Sequence, residues 1–194
     1  MAILTSAARR FAEKGYAECS LRDIAELTGM KAGSVYYHFP SKEDLLDEVV
    51  KAGSAMQTRA ISDQLATLDP GSGATIKLQA MIRTHITCFL DVRDDANTFL
   101  RIYENLPPVM KRLTRRHRLD YARLWFDVFE EGVATGEFKR SIDSALFIPF
   151  LLQSMNGIIE WFSPSRMTIE GICKMITDGL LDGLLTPDGR ANLG

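Results

Sequence analysis

At 194 residues, of which 46% are hydrophobic, the chain is long enough to bury a core and suits either one medium domain or a small head with a larger body. Its formal net charge of −2 excludes a strongly basic nucleic-acid domain, so any DNA binding depends on local charge. The cysteines are too scattered for a disulfide framework or a metal site, and the longest nearly continuous apolar stretch, residues 145–152, is far shorter than the roughly 20 residues of a membrane-spanning helix. We therefore expect a cytoplasmic protein with no bound metal and no membrane span.

The first part of the chain predicts four helices with clear boundaries. Apolar residues recur at helical spacing from residue 3 until Gly15, which supplies a C-terminal stop. Ser20 and Asp23 have the spacing of a capping box, which opens a second, short helix that ends near Gly29. A third helix stops at Pro40, because proline cannot continue the amide ladder. A second capping box at residues 41–44 opens a fourth helix that extends to about residue 66.

The rest of the chain shows helical rather than strand-like periodicity. The run LDPGSG, at residues 68–73, is a turn. Amphipathic patterns after it predict helices at about residues 74–92, 94–106, 109–135, 144–162 and 168–186. The predicted fold class is therefore all-α, with about nine helices.

Two short helices joined by a turn at Gly29 are the sequence form of a helix-turn-helix. The longer run LRDIAELTGMKAGSVYYHFPSKEDLL, at residues 21–46, and the preceding FAEKGYAECS resemble the signature of the TetR family of transcriptional regulators. This resemblance implies a three-helix DNA-binding head, residues 1–50, and a larger helical body for ligand binding and dimerisation, residues 51–194. It also implies a ligand-responsive regulator, interpreted here as a repressor, that binds a palindromic operator in double-stranded DNA as a homodimer.

The outward face of the third helix carries the candidate DNA contacts. Val35 and Phe39 are committed to the core, so the residues on the opposite side project away from it: Lys31, Ser34, Tyr37 and His38, spaced i, i+3, i+6 and i+7. Lys31 and Ser34 are the candidates for base edges, but many TetR relatives carry a basic residue at the position of Ala32, so the register of the base contacts stays open. The candidate DNA-binding residues are Ser20, Lys31, Ala32, Gly33, Ser34, Tyr36, Tyr37, His38 and Lys42.

A plainer interpretation of the head stays open. Residues 1–52 hold seven basic and eight acidic side chains, a net charge of −1, so the head is not basic overall. In this interpretation Tyr36 and Tyr37 simply pack and His38 caps the helix. The helical subdomain would then have no role in DNA binding.

The body is rich in large aromatic residues with few polar groups, a composition that suits an apolar ligand pocket. The alternative is that each of these rings belongs to the core. The preferred pocket residues are Phe99, Tyr103, Tyr121, Trp125, Phe129, Met155 and Trp161.

Residues 111–123 form the most basic stretch, with six Lys and Arg against one Asp and a net charge of +5. Its arginines, Arg115 and Arg118 among them, are either solvated helix surface or the site for an anionic ligand group. The runs RHRLDYARLWFDVFEEGVATGEF and MNGIIEWFSPSRMTIEGICKMITDGLLDGL are similar to TetR regulators of lipid, fatty-acid and sterol catabolism, several of which sense acyl-CoA thioesters. That similarity implies a small hydrophobic, acyl-CoA-like ligand and adds Arg166 to the candidate ligand residues.

The last two helices are the predicted dimer interface. Glycines on one side of the last helix let a partner helix approach closely, and an apolar stripe lies beside them. In a two-fold dimer the two reading helices lie about 34–36 Å apart. The alternative is that the stripe is buried within one subunit. The candidate dimerisation residues are Ile172, Met175, Ile176, Gly179, Leu180, Gly183 and Leu184.

An enzyme and a helical adaptor are the competing function classes. His38, His85 and His117 do not have the spacing of metal ligands, and the sequence shows neither a phosphate-cradling glycine motif nor a recognisable nucleophile and base. We therefore expect no catalytic residue and no cofactor. An adaptor would lack salt-dependent binding to an operator.

Overall fold

The computed structural model describes residues 2–90, 102 and 106–184, and within these ranges the chain is helical and contains no β-strand. The predicted all-α fold class is confirmed. The helices are α1 (Ala2–Lys14), α2 (Leu21–Thr28), α3 (Ala32–His38), α4 (Lys42–Ala66), α5 (Ala74–Leu90), α6 (Pro108–Thr114), α7 (Leu119–Ala134), α8 (Ser144–Asn156) and α9 (Ile169–Leu184). Short 3-10 helices at Arg115–Arg118 and Gly157–Glu160 follow α6 and α8. The helix predicted over residues 94–106 lies almost entirely outside the described residues.

The chain divides into two compact units. The first is Met1–Met56 together with Asp91–Leu119, and the second is Gln57–Leu90 together with Asp120–Gly194. The helix-turn-helix therefore shares its unit with a later stretch of the chain that includes α6. The division at residue 50 between a DNA-binding head and a ligand-binding and dimerisation body stays a prediction.

Local chemistry sets the helix ends of the first unit. The Ser20 hydroxyl accepts a hydrogen bond from the Asp23 amide at 3.2 Å, and the Asp23 carboxylate accepts one from the Ser20 amide at 2.8 Å, which completes the predicted capping box of α2. Gly29 follows α2 with a φ of 66°, which a residue with a Cβ rarely adopts. Ser41 and Asp44 form the second predicted capping box, at the start of α4.

One core joins the helices of the head. Ile24 of α2, Val35 of α3 and Leu45 of α4 are fully buried in it. Phe11 of α1 packs into the same cluster. Because Val35 is fixed in this core, the opposite side of α3 faces solvent.

The helix predicted over residues 109–135 is interrupted, which is a correction. A 3-10 helix at Arg115–Arg118 separates α6 from α7. Three contacts with α4 hold it: Asp47 accepts from the Arg116 guanidinium at 2.6 Å and from His117 Nε2 at 2.7 Å, and the Ser54 hydroxyl donates to the His117 carbonyl. Burial raises the pKa of Asp47, but the hydrogen bonds from Arg116 and His117 outweigh it and leave that pKa below its usual range. Periodicity along the chain contains no trace of these contacts.

The second unit has its own core, built from α5, α7, α8 and α9. Trp125 and Phe129 of α7 are buried beside Met81 of α5 and Leu151 of α8. Ile172 of α9 closes the same cluster. Large side chains from four helices therefore fill this unit.

Candidate nucleic-acid interface and sensing residues

The helix α3 has one buried side and one exposed side. Val35 is fully buried, and Phe39, the residue after the helix, is half-buried against the same core. The predicted contacts on the other side are all exposed: Lys31, Ser34, Tyr37 and His38. The structure thus brings two donors for base edges and two rings onto one solvent-facing surface, which we call the α3 face.

The rings of the α3 face do not belong to the core. Tyr37 is 84% exposed and Tyr36 is 46% exposed. The Tyr37 ring meets the His38 ring edge-on, with centroids 5.3 Å apart and planes at 81°. A phenol held this far from the core gains little from folding and leaves its hydroxyl available to a phosphate oxygen.

Gly33 has no packing role within the chain. It is exposed, and a Cβ added there would meet nothing within 4 Å. Glycine inside a helix is less stable than alanine by about 0.5–1 kcal/mol, so its presence favours a close approach by an outside group. Ala32 differs, because it is half-buried and packs partly against the core of the head.

Two of the candidate DNA-binding residues, Ser20 and Lys42, already have hydrogen-bond partners within the chain. The Ser20 hydroxyl donates to the Asp23 carboxylate within the capping box. The Lys42 ammonium donates to the carbonyls of Tyr16 at 2.9 Å and Ala17 at 3.3 Å, and lies 4.4 Å from the centre of the Tyr16 ring. Lys42 therefore ties the loop after α1 to the start of α4, and it keeps at most one of its three N–H donors for a phosphate.

An acidic cleft borders the α3 face. It has a volume of about 720 Å³ and includes His38, Phe39 and the carboxylates of Asp44, Asp47 and Glu48 among its lining residues. Carboxylates repel phosphates, so the cleft itself is unsuited to the DNA backbone.

Four of the residues predicted to line a ligand pocket lie in the core of the second unit. Tyr121, Trp125, Phe129 and Met155 are each no more than 2% exposed. These four residues are packed in the core, as the alternative to a ligand pocket predicts. Trp161, by contrast, is 47% exposed, and Arg166 is also exposed. Phe99 and Tyr103 lie outside the described residues.

The basic stretch belongs to two units. Arg115 and Arg118 lie in the first unit, whereas Arg123 and the buried rings lie in the second. Arg115 is exposed, and Arg116 is ion-paired with Asp47. Part of the charge of +5 is therefore already paired within the first unit.

The predicted dimer stripe on α9 is split between core and surface. Ile172 is buried in the core of its own unit, and Ile176 and Leu180 pack against that core. Met175 is 57% exposed, and Gly179 and Gly183 are exposed. The side chain of Leu184 lies outside the described part of the chain. Only the methionine and glycine side of the stripe therefore faces solvent.

The helix α8 carries an apolar surface that the sequence analysis missed. Leu146 is 72% exposed and Phe150, one turn later, is 62% exposed. A signal was present, because residues 145–152 are apolar on every side, and such a helix is normally buried all round. Here α8 buries Ile148, Leu151 and Leu152 and leaves its other side uncovered.

Two family models match the chain. The model described as bacterial regulatory proteins of the tetR family matches residues 3–49, and the model described as a tetracyclin repressor-like C-terminal domain matches residues 71–184. The second match alone spans more than half of the chain. The chain belongs to the TetR family. Its TetR helix-turn-helix is the pair α2 and α3.

Similar proteins support the same assignment over almost the whole chain. The HTH-type transcriptional repressor KstR2 of Rhodococcus jostii is 28% identical over an alignment 194 positions long. The alignment covers 95% of this TetR chain and 90% of that protein. The structure of the ketosteroid transcriptional regulator KstR2 of Mycobacterium tuberculosis superposes with a TM-score of 0.72 at 22% identity, covering 95% of this chain and 94% of the other. AibR in complex with isovaleryl coenzyme A and operator DNA superposes with a TM-score of 0.72 at 23% identity, covering 95% and 96%. These structural likenesses show the TetR fold.

Membrane and metal features complete the description of this TetR chain. No helix in the described ranges is both long and apolar enough to cross a lipid bilayer. Across the same ranges, no three His, Cys, Asp or Glu side chains gather into a group that could hold a metal ion. The KstR2 proteins that it resembles are named as a transcriptional repressor and a transcriptional regulator.

Proposed function

We propose that this TetR protein is a cytoplasmic, ligand-responsive transcriptional repressor that binds a pseudo-palindromic operator as a homodimer and is released by a small hydrophobic, acyl-CoA-like ligand. The observation that carries the proposal is the exposed α3 face beside a firmly packed head. The similarity to KstR2, a repressor by name, supports the direction of regulation. AibR, solved with isovaleryl coenzyme A and operator DNA, supports the pairing of these two partners in one fold.

The α3 face is assigned contacts both to DNA bases and to the DNA backbone. Lys31 and Ser34 are placed to reach base edges in the major groove, where lysine pairs with guanine and serine with either kind of base. Tyr37 and His38 donate to phosphate oxygens, and Gly33 lets the helix approach the DNA backbone. This face is short, and residues 1–52 are not basic overall. One copy therefore contacts few base pairs, and two copies are needed for adequate discrimination.

The exposed apolar residues of α8 and α9 form the proposed contact with the second copy. Leu146 and Phe150 on α8 and Met175 on α9 lose contact with water when another subunit covers them. Gly179 and Gly183 have no side chain to hold that subunit away. A two-fold contact of this kind is self-complementary, which matches a pseudo-palindromic operator.

The ligand acts by binding one conformation better than another. Its apolar part is assigned to the side chains buried in the same cluster as Trp125, namely Tyr121, Phe129 and Met155. Arg115, Arg118, Trp161 and Arg166 stay the sequence-based candidates for its anionic group. A ligand that binds the DNA-competent and incompetent states equally shifts nothing. Coupling free energies of about 1–3 kcal/mol correspond to roughly 5- to 150-fold changes in operator affinity. No catalytic step is part of this function.

The proposal is tested with DNA from upstream of the gene that encodes the chain. We expect a salt-dependent, sequence-specific gel shift of that DNA, which a non-operator duplex of equal length does not reproduce. Acyl-CoA compounds that raise the thermal stability of the protein in a ligand screen are expected to abolish the shift. A shift that is absent, or equal for both duplexes, contradicts the proposal.

A further inference from the structure

The second unit buries a group of polar side chains among aromatic and aliphatic residues. His85 on α5, Tyr121 and Trp125 on α7, and Asn156 at the end of α8 are each no more than 2% exposed. The Trp125 ring meets the rings of His85 and Tyr121 at centroid distances of 5.8 Å and 6.1 Å. Burial of polar groups costs free energy unless they are hydrogen-bonded, so four of them drawn from three helices require a reason.

Three of the four side chains form a hydrogen-bonded chain through His85. Its Nε2 lies 3.1 Å from Asn156 Oδ1, which can only accept, so Nε2 carries a proton and donates it. In the tautomer that carries its one proton on Nε2, Nδ1 is an acceptor. The Tyr121 hydroxyl, 2.5 Å away, donates to it. The direction of donation is therefore Tyr121 to His85 to Asn156.

The indole of Trp125 has no such partner. The residue is completely buried, and its Nε1–H has no acceptor among the residues that the structure describes. Buried donors without acceptors are rare in native proteins. Replacing Trp125 by an apolar residue would remove the unsatisfied group, so the indole points to an acceptor beyond the described residues, and a bound ligand can supply one.

We propose that Trp125, beside the Tyr121–His85–Asn156 chain, is a hydrogen-bond donor within the inducer site and binds a carbonyl oxygen of the ligand's acyl part. This inference rests on the proposed function and specifies the chemistry of its ligand. An indole N–H can only donate, so the ligand atom is an acceptor. A ketone, ester or thioester carbonyl fits, because an ionised carboxylate enters an apolar core at much greater cost. Phe89, stacked on His85 with centroids 4.9 Å apart, offers a surface for the apolar remainder.

The closed packing around Trp125 links ligand binding to a change of conformation. His85, Tyr121, Trp125 and Asn156 are shut off from solvent, so a ligand that reaches the indole has to separate side chains of α5, α7 and α8. It consequently binds an opened arrangement better than the closed one. That difference in affinity is what allows a ligand to shift a conformational equilibrium.

Two ligands that differ in one oxygen test the inference on the full-length protein. Octanoyl-coenzyme A carries a thioester carbonyl, and S-octyl-coenzyme A has the same chain without it. The chain contains two tryptophans, Trp125 and Trp161, so its proton NMR spectrum has two indole N–H resonances, which the Trp125→Phe variant assigns. We expect octanoyl-coenzyme A, and not S-octyl-coenzyme A, to shift the Trp125 resonance downfield. Calorimetry should show that the thioester binds about three- to tenfold more tightly, the effect of one hydrogen bond.

Variants separate the hydrogen bond from packing. Trp125→Phe is expected to bind the two compounds with equal affinity. Phe138→Leu, a change to a buried ring without a polar atom, is expected to keep the wild-type ratio. If Trp125→Phe does not fold, Trp161→Phe assigns the two resonances instead, and the paired ligands on the wild-type protein decide the question.

Each outcome bears on either the site or the proposed function. Equal shifts of the Trp125 resonance, or a thioester preference that persists in Trp125→Phe, overturn the site while leaving operator binding intact. If neither compound binds although operator DNA does, the site and the ligand class fail together. A carbonyl-dependent shift in a protein that does not bind operator DNA supports the site and contradicts the proposed function.

Discussion

The Glu137 carboxylate accepts a hydrogen bond from the Ala74 amide at 2.9 Å, so a residue that follows α7 caps the start of α5. Its second oxygen accepts from the Thr75 amide at 3.0 Å, and the Thr135 hydroxyl donates to the first at 3.1 Å. Burial raises the pKa of Glu137, but these hydrogen bonds outweigh it and hold that pKa below its usual range. The carboxylate therefore joins two segments of the second unit that are 63 residues apart.

Replacement of Glu137 by Gln tests this cap. The lowered pKa means that the ionised carboxylate stabilises the fold above the unfolded pKa of about 4.3, and that this stability is lost as the pH falls through the folded value. We expect Glu137→Gln to reduce the free energy of unfolding by about 1–3 kcal/mol at pH 7. Urea denaturation at a series of pH values checks this. A difference between the two proteins that does not shrink below pH about 4 contradicts the assigned role.

Gly132 lies directly against the Phe138 ring. A Cβ on Gly132 would lie 2.3 Å from the Phe138 ring. Alanine gains up to about 1 kcal/mol in helix propensity over glycine, but overpacking costs about 1–3 kcal/mol or more, so we expect Gly132→Ala to be destabilising in thermal unfolding.

Gly157 supplies the control for this substitution. It has a negative φ of −65°, and an added Cβ meets nothing within 4 Å, so Gly157→Ala should be neutral. In the double variant, adding Phe138→Leu to Gly132→Ala should recover part of the lost thermal stability. Equal effects of the two alanine substitutions would show that the ring contact is not the cause.

Local signals in the sequence were sufficient for the head and insufficient for the body. The capping box of Ser20 and Asp23 and the stop at Gly29 depend on neighbouring residues, so they could be predicted from spacing. The 3-10 helix at Arg115–Arg118 depends on Asp47, which is far away in the chain, and the periodicity of residues 109–135 contains no record of it. The role of Asn156 could not be predicted for the same reason, since its partner His85 lies 71 residues earlier.

The same limit applies to the choice between core and interface. The α3 face could be predicted because Val35 fixes one side of a short helix. On α9 the apolar residues Ile172 and Met175 are equivalent in the sequence, yet one is 4% exposed and the other 57%. Packing by α5, α7 and α8 decides between them, and periodicity within a single helix does not contain that information.

Charge placed on the exposed side of α8 is expected to separate the subunits. Phe150→Glu and Leu146→Glu would put a carboxylate into the proposed apolar contact, and desolvation of that charge should produce monomers in sedimentation velocity experiments. Leu113→Glu on α6, which is 57% exposed in the first unit, is the control and should remain dimeric. If the α8 variants remain dimeric as well, the interface lies elsewhere.

Arginine substitutions test whether the ligand carries a negative charge. If Arg115 and Arg118 bind an anionic group, Arg115→Ala and Arg118→Ala should each weaken an acyl-CoA in calorimetry by about tenfold, the effect of losing a charge-assisted hydrogen bond, while leaving an uncharged aromatic compound unaffected. Operator DNA should lower the protein's affinity for the acyl-CoA by the same factor by which the acyl-CoA lowers its affinity for operator DNA. A preference for the uncharged compound, unchanged in both variants, would leave a purely hydrophobic sensor.

The most direct test of the account is an anisotropy titration of labelled operator DNA with the wild type and Tyr37→Ala at several salt concentrations. Tyr37 is 84% exposed, so its replacement should leave the melting temperature unchanged. We predict that the wild type binds the pseudo-palindrome as a dimer, with affinity falling steeply as salt increases, and that Tyr37→Ala binds about three- to tenfold more weakly because one phosphate hydrogen bond is lost. Wild-type affinity in Tyr37→Ala at every salt concentration, together with wild-type affinity in Lys31→Ala, would contradict the claim that the α3 face binds the operator.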